Sequence, residues 1–123
     1  MRLLLDASVL YWLLEGNPRL GARARRQIEA AEPVVSEITL FEIAIKSSIG
    51  KTATGLLDAV RELRFERLGI TDAHLDRFQS LPVHHRDPFD RALIAQAMVE
   101  GLTVVTSDRA FRAYDVRVID ARE

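Results

Sequence analysis

The sequence predicts an α/β fold in which a parallel sheet carries helices on both faces. Three observations lead there. Short apolar runs that read as strands alternate with helical stretches along the whole chain, the pattern of strands joined by crossover helices. The first run, Leu3-Leu4-Leu5, ends at Asp6 and passes at once into helical spacing through Val9, Leu10, Leu13 and Leu14. Late in the chain, Asp87-Pro88 opens a well-marked helix, with an acceptor at the cap and proline at the first helical position. Gly101 closes it just before the clearest later strand, Thr103-Val104-Val105-Thr106.

The remaining elements follow from local signals. Gly16-Asn17-Pro18 stops the first helix, and an arginine-rich helix runs from about Leu20 to Ala31. Pro33-Val34-Val35 is the second strand. Ser36 or Thr39 opens the next helix, which continues to about Ile49 and closes at Gly50. Lys51 to Gly55 reads as a loop, Leu56 to Leu63 as a helix and Phe65 to Leu68 as a weak strand. Thr71-Asp72 caps a short helix, and Leu81 to Arg86 is a loop. After Asp108, Arg109 to Ala113 forms a helical turn and Val116 to Ile119 the last strand. No repeat, low-complexity tract or interdomain linker interrupts residues 1–123, so one domain is expected.

Composition narrows the function classes. At 123 residues there is room for one sizeable core, and 48% hydrophobic with 28% charged residues is ordinary for a soluble globular protein. No apolar run approaches the roughly 20 residues that span a bilayer, and Asp6 arrives too early for a secretory signal core. A cytoplasmic location is expected. With no cysteine, disulfides, thiolate zinc sites and cysteine nucleophiles are excluded. The net charge of −1 conceals an asymmetry: if Asp6, Glu42, Asp90 and Asp108 form one pocket, the rest of the chain carries +3. That basic side is nearly all arginine, since Lys46 and Lys51 are the only lysines, and the guanidinium fork suits phosphate.

Those four acids fall where predicted strands end or helices begin, places that share one edge of a parallel sheet. Carboxylates gathered there repel one another and are costly to desolvate unless a cation joins them. Each also has a purely structural explanation. Asp6 and Asp108 are positioned as helix caps. Glu42 fits a capping box with Thr39 and lies four residues before Lys46, yet it also borders an apolar stripe of Ile38, Phe41, Ile45 and Ile49. Asp87 is accounted for as a cap that can pair with Arg91. Asp90 instead heads the inward stripe of Leu93, Ile94 and Ala97, where a carboxylate is expensive unless paired or metal-bound. Thr106 adds a hydroxyl beside Asp108. Oxygen-only ligands suit Mg²⁺ or Mn²⁺ better than zinc.

Taken with their surroundings, these residues resemble the PIN-domain family and, within it, the VapC-type toxins. The matching phrases are LLLDASVLYWLL, SEITLFEIAIKSSIGK, HHRDPFDRALIAQAMVEGLTVVTSD and YDVRVID, which together cover almost the whole chain. The resemblance implies a three-layer sandwich with a five-stranded parallel sheet. It implies an acidic pocket that binds Mg²⁺ or Mn²⁺ and cleaves RNA, tRNA or rRNA being the family's substrates. By position, Asp6 matches the first acid, Glu42 the second, Asp90 the third and Asp108 the fourth, with Thr106 as the accompanying hydroxyl residue; Asp87 is an extra carboxylate. A cognate VapB-type antitoxin and a toxin homodimer are implied as well.

The expected chemistry is hydrolysis with no covalent enzyme intermediate, in which Asp6, Glu42, Asp90 and Asp108 hold the metal directly or through water. His84-His85-Arg86 is a further candidate for contacting RNA phosphate, against the alternative of a surface loop. Tyr11, Trp12 and Leu14, beside the arginine helix, are either core packing or a seat for an antitoxin helix. A DNA nuclease or phosphatase using the same metal site is the competing enzyme; Asp6-Ala7-Ser8 lacks the second acid of an aspartyl-phosphate phosphatase. A nonenzymatic partner-binding module is the other alternative. No phosphate-binding Gly-x-x-x-x-Gly-Lys loop occurs.

Overall fold

The computed structural model describes all residues from Met1 to Glu123. Strand β1 (Arg2–Leu5) leads into helices α1 (Ala7–Glu15) and α2 (Ala22–Ala30), and β2 (Glu32–Ser36) into α3 (Glu37–Ser48) and α4 (Leu56–Glu62). Strand β3 (Glu66–Leu68) is followed by α5 (Asp72–Ser80) and α6 (Pro88–Glu100). Strand β4 (Thr103–Thr106) passes through a 3-10 turn at Arg109–Ala113 to β5 (Val118–Asp120). All four strand pairings are parallel, in the order β3-β2-β1-β4-β5. The expected α/β architecture with a five-stranded parallel sheet is the one observed.

Local chemistry sets the element boundaries. The Asp6 carboxylate accepts the Val9 amide at 2.9 Å and caps α1, which ends at Gly16 in a left-handed conformation (φ 62°) that L side chains rarely adopt. Ser36, not Thr39, caps α3 by accepting the Ile38 amide at 3.0 Å, so this helix begins three residues before the Thr39 alternative. Asp87 caps α6 by accepting the Phe89 and Asp90 amides, with Pro88 at the first helical position. The last strand lies two residues later than Val116, because pairing with β4 aligns Val104 with Val118 and Thr106 with Asp120.

The core is divided by the sheet, and strand alternation assigns residues to each side. Leu3, Leu5, Val35 and Val105 pack with Val9 and Leu10 of α1, Ala24 and Ile28 of α2, and Leu40 and Ile43 of α3. Leu4, Val34 and Val104 face the other way, onto Leu93, Ile94 and Ala97 of α6 and Phe111 of the 3-10 turn. Tyr11, Trp12 and Leu14 are half-buried against the first of these layers, which is the core-packing alternative for that helix. No helix is long and apolar enough to cross a membrane.

A buried polar network fastens α6 to the neighbouring elements. Ser36 Oγ donates to Gln96 Oε1 at 2.5 Å, and Gln96 Nε2 donates to the Gly69 carbonyl at 3.2 Å. His74 Nδ1 accepts the Thr71 amide at 3.0 Å, and its Nε2 meets Glu100 at 3.0 Å. Gln96 is 1% exposed and Ser36 0%, so no water stands ready to replace the bond between them. Gln96→Met keeps the volume and strands Ser36 Oγ and the Gly69 carbonyl. A loss of about 1–3 kcal/mol is expected, read from the urea unfolding midpoint; an unchanged midpoint would show that the network adds nothing to stability.

Candidate functional site

Strand order places the site. From β1 the chain moves one way to β2 and β3, then crosses back to β4 and β5, so the sheet reverses direction between β1 and β4. The crevice at the carboxyl ends of those two strands is where open parallel sheets bind ligands. Asp6 immediately follows β1, and Thr106 and Asp108 end and follow β4. Parallel pairing of Leu5 with Val105 sets these residues side by side. The Thr106 hydroxyl donates to Asp6 Oδ2 and accepts the Asp108 amide at 3.1 Å, so a single buried hydroxyl bridges the two strand ends. Asp108 Oδ1 meanwhile accepts the Ala110 amide at 2.9 Å and caps the 3-10 turn.

The other two acids reach the same crevice from helices. Asp90 stands in the first turn of α6, heading the stripe of Leu93, Ile94 and Ala97, all at most 2% exposed. Glu42 lies well inside α3 rather than at its start, because Ser36 and not Thr39 is the cap. Its side chain is 18% exposed and pairs with Lys46 at 3.1 Å. The apolar stripe beside it does not face the core: Phe41 is 65%, Ile45 38% and Ile49 58% exposed, whereas Thr39, Leu40 and Ile43 are buried.

Electrostatics tie these groups into one site. Burial pushes the Asp6 carboxyl up to about 6; bonds from Thr106 and Val9 oppose that shift, and the charges of Glu42 and Asp108 add to it. Burial, then repulsion from Asp87, Asp108, Asp6 and Glu42, pushes Asp90 up to about 7. Burial also raises the Tyr11 hydroxyl, which senses Lys46, Glu42 and Asp6 and has no hydrogen-bond partner. For Lys46, burial works against the charge, but the hydrogen bond and charge of Glu42 outweigh it and its pKa is raised. Tyr11 and Lys46 thus border the acids, a placement that the spacing of Glu42 and Lys46 hinted at and that nothing in sequence signalled for Tyr11.

Asp87 does not pair with Arg91, contrary to the helical spacing. The Arg91 guanidinium turns inward to the Pro82 carbonyl at 2.9 Å and the Tyr114 hydroxyl at 3.1 Å, over the Phe78 ring. Of the His84-His85-Arg86 segment, His84 and Arg86 are exposed, while His85 turns in and places Nε2 3.5 Å from Asp90 Oδ2.

Hard oxygen donors under mutual repulsion, with an orphaned Tyr11 hydroxyl beside them, fit a hydrated divalent cation. No three His, Asp or Glu side chains approach closely enough to cage a metal by themselves. Mg²⁺ accommodates this, since it keeps several waters and commonly uses one or two carboxylates.

Comparison with known proteins bears on the family and the fold. A model of the PIN domain matches residues 3–117. Ribonuclease VapC22 of Mycobacterium tuberculosis is 32% identical over 117 residues, covering 90% of each chain. Among solved structures, VapBC2 from Rickettsia felis bound to a promoter DNA fragment superposes with a TM-score of 0.75 at 14% identity, over 98% of both chains. VapBC-1 from nontypeable Haemophilus influenzae gives 0.70 at 19% identity over 100% of both. At such identities the two structures speak for the fold.

Burying these carboxylates also sets a pH dependence. Asp90 titrates near 3.8 when unfolded and at about 7 when folded, so the folded state holds its proton more tightly. The stability associated with the protonated group is therefore lost as pH climbs from about 4 to about 7. Asp90→Asn is expected to raise the melting temperature of the metal-free chain by several degrees at pH 8 and hardly at all at pH 4. Calorimetry in chelator checks this; equal shifts at both pH values would rule out charge burial as the cause.

Proposed function

The chain belongs to the PIN-domain family, and on that premise we propose that residues 1–123 act as one VapC-type toxin domain: a cytoplasmic, metal-dependent endoribonuclease held in check by a cognate VapB-type antitoxin. The observation that carries this reading is the convergence of Asp6, Glu42, Asp90 and Asp108 on the β1/β4 crevice, where Asp6 and Asp90 feel the charges of the others.

Asp6, Asp90, Glu42 and Asp108 would hold Mg²⁺ or Mn²⁺, with water completing the shell. The bound ion would supply Lewis-acid stabilisation of phosphoryl charge and a more acidic water. The chain's own groups prepare that role. Thr106 holds the Asp6 carboxylate and the Asp108 backbone amide, while the Ala110 amide holds the Asp108 carboxylate. Lys46 gives Glu42 a countercharge, and the Asp6 caps of α1 and Asp87 caps of α6 keep the helix starts in register with the strand ends. Exposed arginines elsewhere suit the phosphate backbone of an RNA.

The antitoxin half of the reading has its own support. A groove of about 510 Å³ is lined by the apolar Ile38, Phe41, Leu57, Ile70 and Phe89 and rimmed by Glu37, Arg61 and Arg67. Phe41 and Phe89 precede Glu42 and Asp90 in the chain, and a protein segment of apolar and charged residues would suit this groove. A homodimer is the assembly we assign to the free toxin, by family membership.

Mapping of RNA ends produced with Mn²⁺ tests the activity. Asp6→Asn and Asp90→Asn are each expected to lose at least roughly a hundredfold in cleavage, the scale lost with a single charge-stabilising group, while remaining folded by circular dichroism. Excess EDTA should silence the wild type. Cleavage of DNA in preference to RNA, or full activity in either folded variant, would sink the proposal.

A further inference from the structure

His85 is the one member of the histidine-histidine-arginine segment that the chain builds into its interior, and the reason begins with a buried cation. Arg91 is 8% exposed and has no carboxylate partner. Its Nη1 instead donates to the Pro82 carbonyl at 2.9 Å and to the Tyr114 hydroxyl oxygen at 3.1 Å. The same oxygen accepts the His85 backbone amide at 3.3 Å. A phenolic oxygen has two lone pairs and one proton, so both acceptor positions are filled.

The Tyr114 proton must therefore be donated. Its remaining neighbour is His85 Nδ1, at 2.9 Å. A proton on Nδ1 would set three donors against an oxygen with two lone pairs. Nδ1 is thus the acceptor, and the neutral imidazole carries its proton on Nε2. That nitrogen is buried, has no hydrogen-bond partner, and stands 3.5 Å from Asp90 Oδ2. The neighbouring His84 ring closes edge-on against Tyr114 at 4.9 Å.

We propose that His85 is a positioning residue for Asp90: Arg91 and Tyr114 lock its tautomer, and its Nε2–H, aimed at Asp90 Oδ2 from 3.5 Å, steers that carboxylate for the cation it would help to hold. The assignment rests on Asp90 being a metal ligand, as proposed above. Partners of this kind orient ligating carboxylates and typically influence metal affinity as strongly as 10–100-fold. It also separates His85 from His84 and Arg86, whose exposed side chains remain available to a substrate phosphate.

Glutamine and asparagine divide the histidine into its two halves. His85→Gln places an amide N–H near the Nε2 position, within reach of Asp90, whereas His85→Asn reproduces only the Nδ1 side that faces Tyr114. Mn²⁺ binding to the full chain, followed by the electron paramagnetic resonance of the free ion, gives a readout independent of cleavage, with thermal melts by circular dichroism alongside. Binding by His85→Gln is expected to stay close to wild type, while His85→Asn and His85→Ala weaken it by about 10–100-fold with Asp90→Asn weaker still. Wild-type affinity in His85→Asn, or equal losses in His85→Gln and His85→Ala, overturns the positioning role. Wild-type affinity in Asp90→Asn instead overturns the ligand assignment on which that role rests.

Discussion

The pairing of β1 with β4 is the constraint from which the site is built. It is the point where the sheet reverses its direction of growth, and its register of Leu5 against Val105 brings Asp6 to Thr106 across a hundred residues of chain. The bond between those two side chains is a local consequence of a global arrangement: central strands buried on both faces, with Leu3, Leu4, Leu5, Val104 and Val105 fully excluded from water. Every other acid is placed relative to that seam. α6 delivers Asp90 because its apolar stripe packs on one face of the sheet, and α3 delivers Glu42 because Leu40 and Ile43 pack on the other.

What the fold gathers, electrostatics resists. Asp6 and Asp90 are raised well above their unfolded values by burial and by one another's neighbours. A domain selected for stability alone would not concentrate carboxylates in a crevice it had already desolvated. The caps offset part of that cost: Asp6 and Asp108 each satisfy a helix or turn start while contributing charge. Capping therefore does not by itself exclude a further role for these residues.

Buried polar groups on the α6 side show the complementary strategy. Arg91, Tyr114 and His85 form a chain in which each partner's donors and acceptors are determined by the next. Gln96, Ser36 and His74 do the same one turn and more along the helix. Helix α6 is thus held by directional bonds as well as by Leu93 and Ile94, which restricts where Asp90 can sit.

Much of this was legible from the residues alone. Strand and helix order, the Asp87-Pro88 start and the Gly101 stop followed from local chemistry, since caps, breakers and apolar runs act within a few residues. The preference for Asp90 over Asp87 came from the inward stripe that Asp90 heads. Other features needed the third dimension. Spacing offered Arg91 to Asp87, but the buried side of α6 claimed the guanidinium; spacing marked Phe41, Ile45 and Ile49 as an apolar stripe, and packing left them exposed while Leu40 and Ile43 fill the core. The sequence by itself determined which elements form and that Asp6, Asp90 and Asp108, though not Glu42, stand at their ends, because those depend on neighbours in the chain. Only the tertiary structure decided that Thr106 joins Asp6 to Asp108, that Tyr11 and Lys46 border the acids and that His85 faces Asp90, because those contacts join residues from separate elements whose meeting is fixed by sheet order and packing.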